Sequence, residues 1–118
     1  KLKNKRSIKL WGSGKVSREI LFVDDLADAT VFFLNKKIKE SFLNIGSGKD
    51  YTIKWYAKFI MKQLGIHLNI KYDKSKPDGM PKKLLDVSLA KKYGWKSKTS
   101  LKEGLLKTLE DFKLGYRT

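Results

Sequence analysis

Apolar positions along the chain fall into short runs that alternate with longer helical stripes. Residues 8–11 read as a short strand broken by Gly12, Ser13 and Gly14, and residues 19–23 as a second strand. Asp25 has the character of a helix N-cap, and Asp28 adds negative charge near the positive helix end. Leu26, Ala29, Thr30, Phe33 and Leu34 then share one stripe, which predicts a helix stopping near Asn35. The short apolar run at 41–45 predicts a strand, closed by Gly46, Ser47 and Gly48. Thr52 caps the next predicted helix, whose stripe is Ile53, Tyr56, Ala57, Ile60 and Leu64 and whose C′ residue is Gly65. Residues 68–72 predict another strand, and residues 74–83, which hold both prolines, a polar loop. Ser88 caps a short helix that runs to Tyr93 and is closed by Gly94. Ser100 and Glu103 have capping-box spacing and open a last helix with Leu101, Leu105, Leu109 and Phe112 inward.

The predicted order is strand, strand, helix, strand, helix, strand, helix, helix. Alternation of this kind indicates a layered α/β unit. No internal repeat, low-complexity tract or linker interrupts it. A length of 118 residues predicts one compact unit spanning 1–118, and 41% hydrophobic content is enough for one core. The chain starts without Met, which suggests a fragment.

Composition narrows the chemistry. The absence of cysteine excludes a disulfide framework and cysteine metal sites, and it is compatible with a reducing cytoplasm. No apolar run approaches the ~20 residues of a membrane span, and no apolar stretch follows the basic residues 1–10 to make a signal peptide. The net charge of +15 favours a polyanion partner. Against nucleic acid, only three of the 27 basic residues are arginine, the side chain that reads bases and phosphates bidentately. The lysines are scattered, apart from five basic residues in the first nine, as on solvated faces. A basic nucleic-acid-binding module and a non-catalytic interaction domain remain as alternatives.

Two segments read Gly-Ser-Gly-Lys, at 12–15 and 46–49. A P-loop also needs an earlier glycine and a following Ser or Thr, but Lys9 and Leu43 precede and Val16 and Asp50 follow. Neither segment completes a dinucleotide fingerprint, since Ser17 and Tyr51 occupy the last glycine position. Tyr72 and Lys76 have the Tyr-x-x-x-Lys spacing of short-chain dehydrogenases, yet they lie where a strand enters a Pro-Asp-Gly loop, so the match is chance. His67, the one histidine, has no evident acidic or nucleophilic partner in sequence and reads as a surface or packing residue.

Two constellations remain. In the first, Trp11 leads into a glycine turn and Arg18 returns on the next strand, pairing an apolar ring face with a guanidinium fork for a diphosphate. In the second, residues 76–86 (KPDGMPKKLLD) hold the acceptor Asp78 beside the donors Lys82 and Lys83. By spacing alone each reads as a turn before it reads as a site.

In order, residues 11–27 (WGSGKVSREILFVDDLA), 43–53 (LNIGSGKDYTI), 75–86 (SKPDGMPKKLLD) and 93–105 (YGWKSKTSLKEGL) resemble the C-terminal third of GDP-L-fucose synthases. These are extended short-chain dehydrogenase/reductases of the NAD-dependent epimerase/dehydratase family. The resemblance implies an α/β C-terminal substrate-binding part that is incomplete without its N-terminal Rossmann domain. It implies a cytoplasmic parent enzyme that epimerises GDP-4-keto-6-deoxy-D-mannose at C3 and C5 and reduces C4 with NADPH. It matches Trp11, Arg18, Asp78 and Lys83 to substrate-binding positions. Arg18 and Lys83 would face the GDP diphosphate or nucleotide, Asp78 would accept hydrogen bonds nearby, and Trp11 would pack on the sugar or ribose side. NADP(H) and the catalytic residues would belong to the absent half, through which the intact enzyme would form a homodimer, leaving this chain with no catalytic, cofactor or metal residue. No nucleic-acid or membrane partner is implied. Ile20 and Phe22 depart from the Phe and His often found in relatives, and Lys82 replaces a common Arg. The alternative is a related nucleotide-sugar epimerase/dehydratase of other specificity.

Overall fold

A computed structural model describes residues 6–115. It contains β1 (Ser7–Trp11), β2 (Ser17–Glu19), α1 (Val23–Leu34), β3 (Asp50–Thr52), α2 (Ile53–Gln63), β4 (Asn69–Asp73), β5 (Lys82–Lys83), α3 (Ser88–Lys92) and α4 (Leu101–Gly115). Mixed α/β structure is therefore observed. Length alone predicted one unit, but the residues group into two, each built from two chain segments. The first comprises Lys1–Arg18 with Asp50–Lys83, and the second Glu19–Lys49 with Leu84–Thr118.

In the first unit β1 and β4 pair in parallel, with Ser7 opposite Asn69 and Trp11 opposite Asp73. The connection between parallel strands includes α2, as a crossover requires. Thr52 caps α2 as expected, its hydroxyl accepting the Trp55 N–H at 3.1 Å. The helix ends through Gly65 N–H to the Lys62 carbonyl (3.2 Å) and Ile66 N–H to the Met61 carbonyl (3.0 Å), the paired bonds of a Schellman motif. The predicted α2 stripe is only half right. Tyr56 is buried and Ile53 and Ala57 are half-buried, whereas Ile60 and Leu64 are exposed. The 74–83 loop is also not wholly irregular. Its end forms β5, parallel to β2 with Ser17 opposite Lys82 and Arg18 opposite Lys83, in a sheet ordered β3–β2–β5.

The second unit is organised around Ala29, Ala90 and Trp95, with Leu21, Phe32, Phe33 and Ile45 packed against them. Here several expectations need correction. The predicted strand at 19–23 is instead β2, ending at Glu19, with α1 beginning at Val23 behind an N-cap at Phe22. Asp25 is no N-cap. It lies inside the first turn, 5% exposed, and accepts the Lys98 and Thr99 N–H groups at 3.1 and 3.0 Å and the Thr99 hydroxyl at 2.8 Å. The carboxylate thus serves the approach to α4, whose backbone donors precede any intrahelical partner.

The α1 stripe is rotated from its predicted position. Ala29 and Phe33 face inward with Asp25 and Phe32, while Leu26, Thr30 and Leu34 are exposed. The expected strand at 41–45 has no ladder partner among the described residues and is not a strand. Its Asn44 amide donates to the Asp86 carbonyl at 3.3 Å, and Leu43 and Ile45 line a cavity of about 230 Å³ with Phe33 and Phe42.

Ser88 does not cap α3. Val87 occupies the N-cap, and Asp86 Oδ1 accepts the Ser88 N–H at 2.9 Å. Gly94, at φ +94°, lets Trp95 N–H reach back to the Ala90 carbonyl at 3.0 Å, which carries Trp95 into the core. At α4 half of the capping box forms. Ser100 Oγ accepts the Glu103 N–H at 3.2 Å, but the Glu103 side chain pairs with Lys107 at 3.0 Å. Leu101, Leu105 and Leu109 are half-buried and Phe112 is exposed, while buried Gly104 lies against Phe22.

Candidate functional site

All four residues singled out from the sequence lie in the first unit, as two neighbouring pairs. Trp11 closes β1 and is 72% exposed, so its ring is presented to solvent rather than packed. Lys76 stands 5.7 Å from the ring centroid, a cation over an aromatic face. The turn after Trp11 is held from the side by Asp78, whose Oδ1 accepts the Ser13 N–H at 2.6 Å. That donor, followed by the Ser13 side chain, holds the Asp78 carboxyl below the usual carboxylate range. Gly12, at φ +72°, is required here twice over. An L side chain disfavours that backbone, and a Cβ would collide with the Asp78 carboxylate.

The second pair is Arg18 and Lys83, register partners across β2 and β5. Partners in register project from the same face of a sheet, with strands ~4.8 Å apart. Arg18 Nη1 donates to the Ser17 carbonyl at 2.7 Å and the Met80 carbonyl at 2.8 Å, which fixes the guanidinium against the 79–80 turn. Lys82 and Lys83 alternate to opposite faces. Lys82 lies 3.8 Å from Asp50, while Lys83 has no carboxylate partner among the described residues. The lysine that pairs with Arg18 is therefore the one left able to meet an external anion. The segment from Lys76 to Lys83 joins both pairs.

Sequence reasoning named Lys76 but not its place over Trp11, and it missed the Met80 carbonyl and Glu19. The two Gly-Ser-Gly turns were expected to be plain turns, but each holds a carboxylate of the protein. Asp78 fills the first. In the second unit, Glu19 Oε1 accepts the Gly48 N–H at 2.6 Å and the Ser47 hydroxyl at 3.3 Å, and Oε2 accepts the Leu85 N–H at 2.9 Å. Backbone donors already facing a carboxylate are not open to a phosphate. These turns therefore do not fit the pyrophosphate of a dinucleotide cofactor. The only sequence signal was an acidic residue next to Arg18, which does not reveal its target.

Two other sequence expectations can be placed. Tyr72 lies on β4 and Lys76 in the turn beyond it, not on one helix face. Phe22 packs on α4 at Gly104, with Lys107 5.6 Å from its ring. Trp55 stacks with Tyr51 at 3.9 Å and with Phe59 at 4.9 Å between centroids.

Residues 1–46 match the model of the NAD dependent epimerase/dehydratase family. The chain is 43% identical over 108 residues to the probable GDP-L-fucose synthase 1 of Oryza sativa subsp. japonica, covering 92% of this chain and 33% of that protein. It is 41% identical over 109 residues to the GDP-L-colitose synthase of Yersinia pseudotuberculosis, covering 92% and 35%. Among solved structures, the GDP-mannoheptose C4 reductase from Campylobacter jejuni with NADP bound is similar at a TM-score of 0.79 and 33% identity, over 92% of this chain and 35% of that one. The chain thus spans about a third of the length of the relatives it matches.

Proposed function

From the match of residues 1–46 and the identity of 43% to a GDP-L-fucose synthase, we propose that the chain belongs to the NAD dependent epimerase/dehydratase family and forms the GDP-sugar-binding part of an enzyme resembling GDP-L-fucose synthase. The observation that carries this reading is the pairing of Arg18 with Lys83 on one sheet face, joined by one loop to Trp11 and Asp78. Two adjacent cations, one a planar fork, suit a diphosphate. Trp11 offers an exposed apolar face to a sugar or ribose ring, and the Asp78 oxygen not taken by Ser13 can accept from a hydroxyl.

In the whole protein, the C3/C5 epimerisation and C4 reduction would take place on catalytic residues and NADP(H) held outside this chain. The residues described here would bind and orient the nucleotide end and so position the reacting sugar. A related specificity is the second reading, favoured by 41% identity to a colitose synthase and 33% to a heptose reductase. A nucleic-acid role has less support, because only three of the 27 basic residues are arginine.

The test is a calorimetric titration with GDP and with UDP at low and moderate salt. GDP should bind saturably, more tightly than UDP, and persist at moderate salt. Arg18→Ala and Lys83→Ala should each weaken it about tenfold or more, as loss of a charge-assisted bond implies, while Lys113→Ala leaves it unchanged. Binding that vanishes with salt and ignores Arg18 would overturn the reading in favour of a generic polycation.

A further inference from the structure

A second basic feature of the first unit has no part in the arrangement above. Arg6, Lys58, Lys62 and His67 line a cleft of about 490 Å³. The rest of its lining is mainly apolar, from Met61, Ile66 and Leu68, and no acidic residue contributes. Lys58 and Lys62 are four apart on α2 and share a face. Arg6 is fixed at the entry to β1 by its carbonyl, which accepts the Asn69 N–H at 3.1 Å. Among the described residues, no ion pair or hydrogen bond engages the side chains of these four. The carbonyls of Ile60, Met61 and Lys62 at the end of α2 are already bonded to Leu64, Ile66 and Gly65. Three of the last four α2 carbonyls are thus already engaged, which limits the bare acceptors that an incoming anion meets.

The location separates this cleft from the proposed sugar-nucleotide site. It lies at the N-terminal ends of β1 and β4, where Ser7 pairs with Asn69, whereas Trp11 marks the C-terminal end of the same strand. Five residues of strand put the two ends ~13 Å apart. Crowded like charges with no internal counterion raise the local potential, and an anion relieves it.

We infer that this cleft binds a phosphate group carried on a small apolar body. The Arg6 fork can take two phosphate oxygens, the lysines add point charges, and the His67 ring adds a donor. Met61, Ile66 and Leu68 receive the apolar part, as a mostly hydrophobic pocket with a few convergent polar groups would.

The experiment is calorimetry on the intact protein that carries this chain, with excess GDP present and phenyl phosphate as the probe. Saturable binding is expected, weakened about tenfold in Lys58→Gln/Lys62→Gln and in the exposed single variant Arg6→Gln. The control Lys102→Gln/Lys113→Gln, with the same charge change elsewhere, should bind as the parent does. Vesicles containing phosphatidic acid distinguish the source. Capture of the parent but not of Lys58→Gln/Lys62→Gln assigns the phosphate to a lipid headgroup, and no capture assigns it to a soluble ester. Absence of saturable phenyl phosphate binding overturns the inference, as does equal weakening in the control pair or full binding in Arg6→Gln.

Discussion

At the scale of single residues, the decisive groups are carboxylates that face backbone N–H groups. Asp78 closes the turn after Trp11, Glu19 closes the second glycine turn, and Asp25 fastens the approach to α4. Asp78 gives a pH prediction. Its carboxyl is held below the usual range by Ser13, so the folded value is depressed and the clasp contributes above the unfolded value. It should be complete near neutrality and open as the solution falls below about pH 4. The Ser13 amide shift in NMR should follow that opening, and the step should vanish in Asp78→Asn, whose oxygen accepts at every pH. An acid step unchanged in Asp78→Asn would assign it to another group.

At the scale of elements, short strands and turns are joined by such contacts more than by long ladders. Glu19 ends β2 and binds both the 46–48 turn and the Leu85 backbone. Glu19→Gln keeps the shape but sets an amide N–H₂ against one of two backbone donors. Leaving such a donor unpaired costs about 1–3 kcal/mol, so thermal denaturation should show a loss of that order. A melting temperature equal to the parent's would mean that solvent already satisfies these groups. Helix caps follow the same logic. Thr52 and Ser100 act where the sequence predicts, because a hydroxyl three residues before an N–H can reach it locally.

At the scale of the whole molecule, one helix face stands out. Val23, Leu26 and Leu34 lie on one side of α1 at 68%, 48% and 76% exposure, and Phe42 is also exposed. With the chain covering about a third of its relatives' length, we expect the rest of the polypeptide to cover this face in the full protein. Alone, the 118-residue chain should self-associate in sedimentation, and Leu26→Glu with Leu34→Glu should return it toward monomer without weakening GDP binding. A clean monomer with a sharp reversible melt would count against this. The same chain should also show no turnover, and NADPH oxidation with the keto-sugar would refute that.

The sequence alone determined the α/β alternation, the helix ends at Gly65 and Gly94, the Thr52 and Ser100 caps, and the resemblance to GDP-L-fucose synthases. These features depend on residues within a few positions of one another, or on whole motifs in a fixed order. Only the tertiary structure decided the direction of the α1 stripe, the lack of a partner for 41–45, and the target of each carboxylate. Helical spacing places apolar residues on a stripe but does not say which edge faces the core, and α1 carries apolar residues on more than one side. The pairing of Arg18 with Lys83 spans 65 positions and depends on a two-residue strand too short to leave a periodic signal. Sequence reasoning selected both residues. Their common face came from the parallel register of β2 and β5, which only long-range packing fixes.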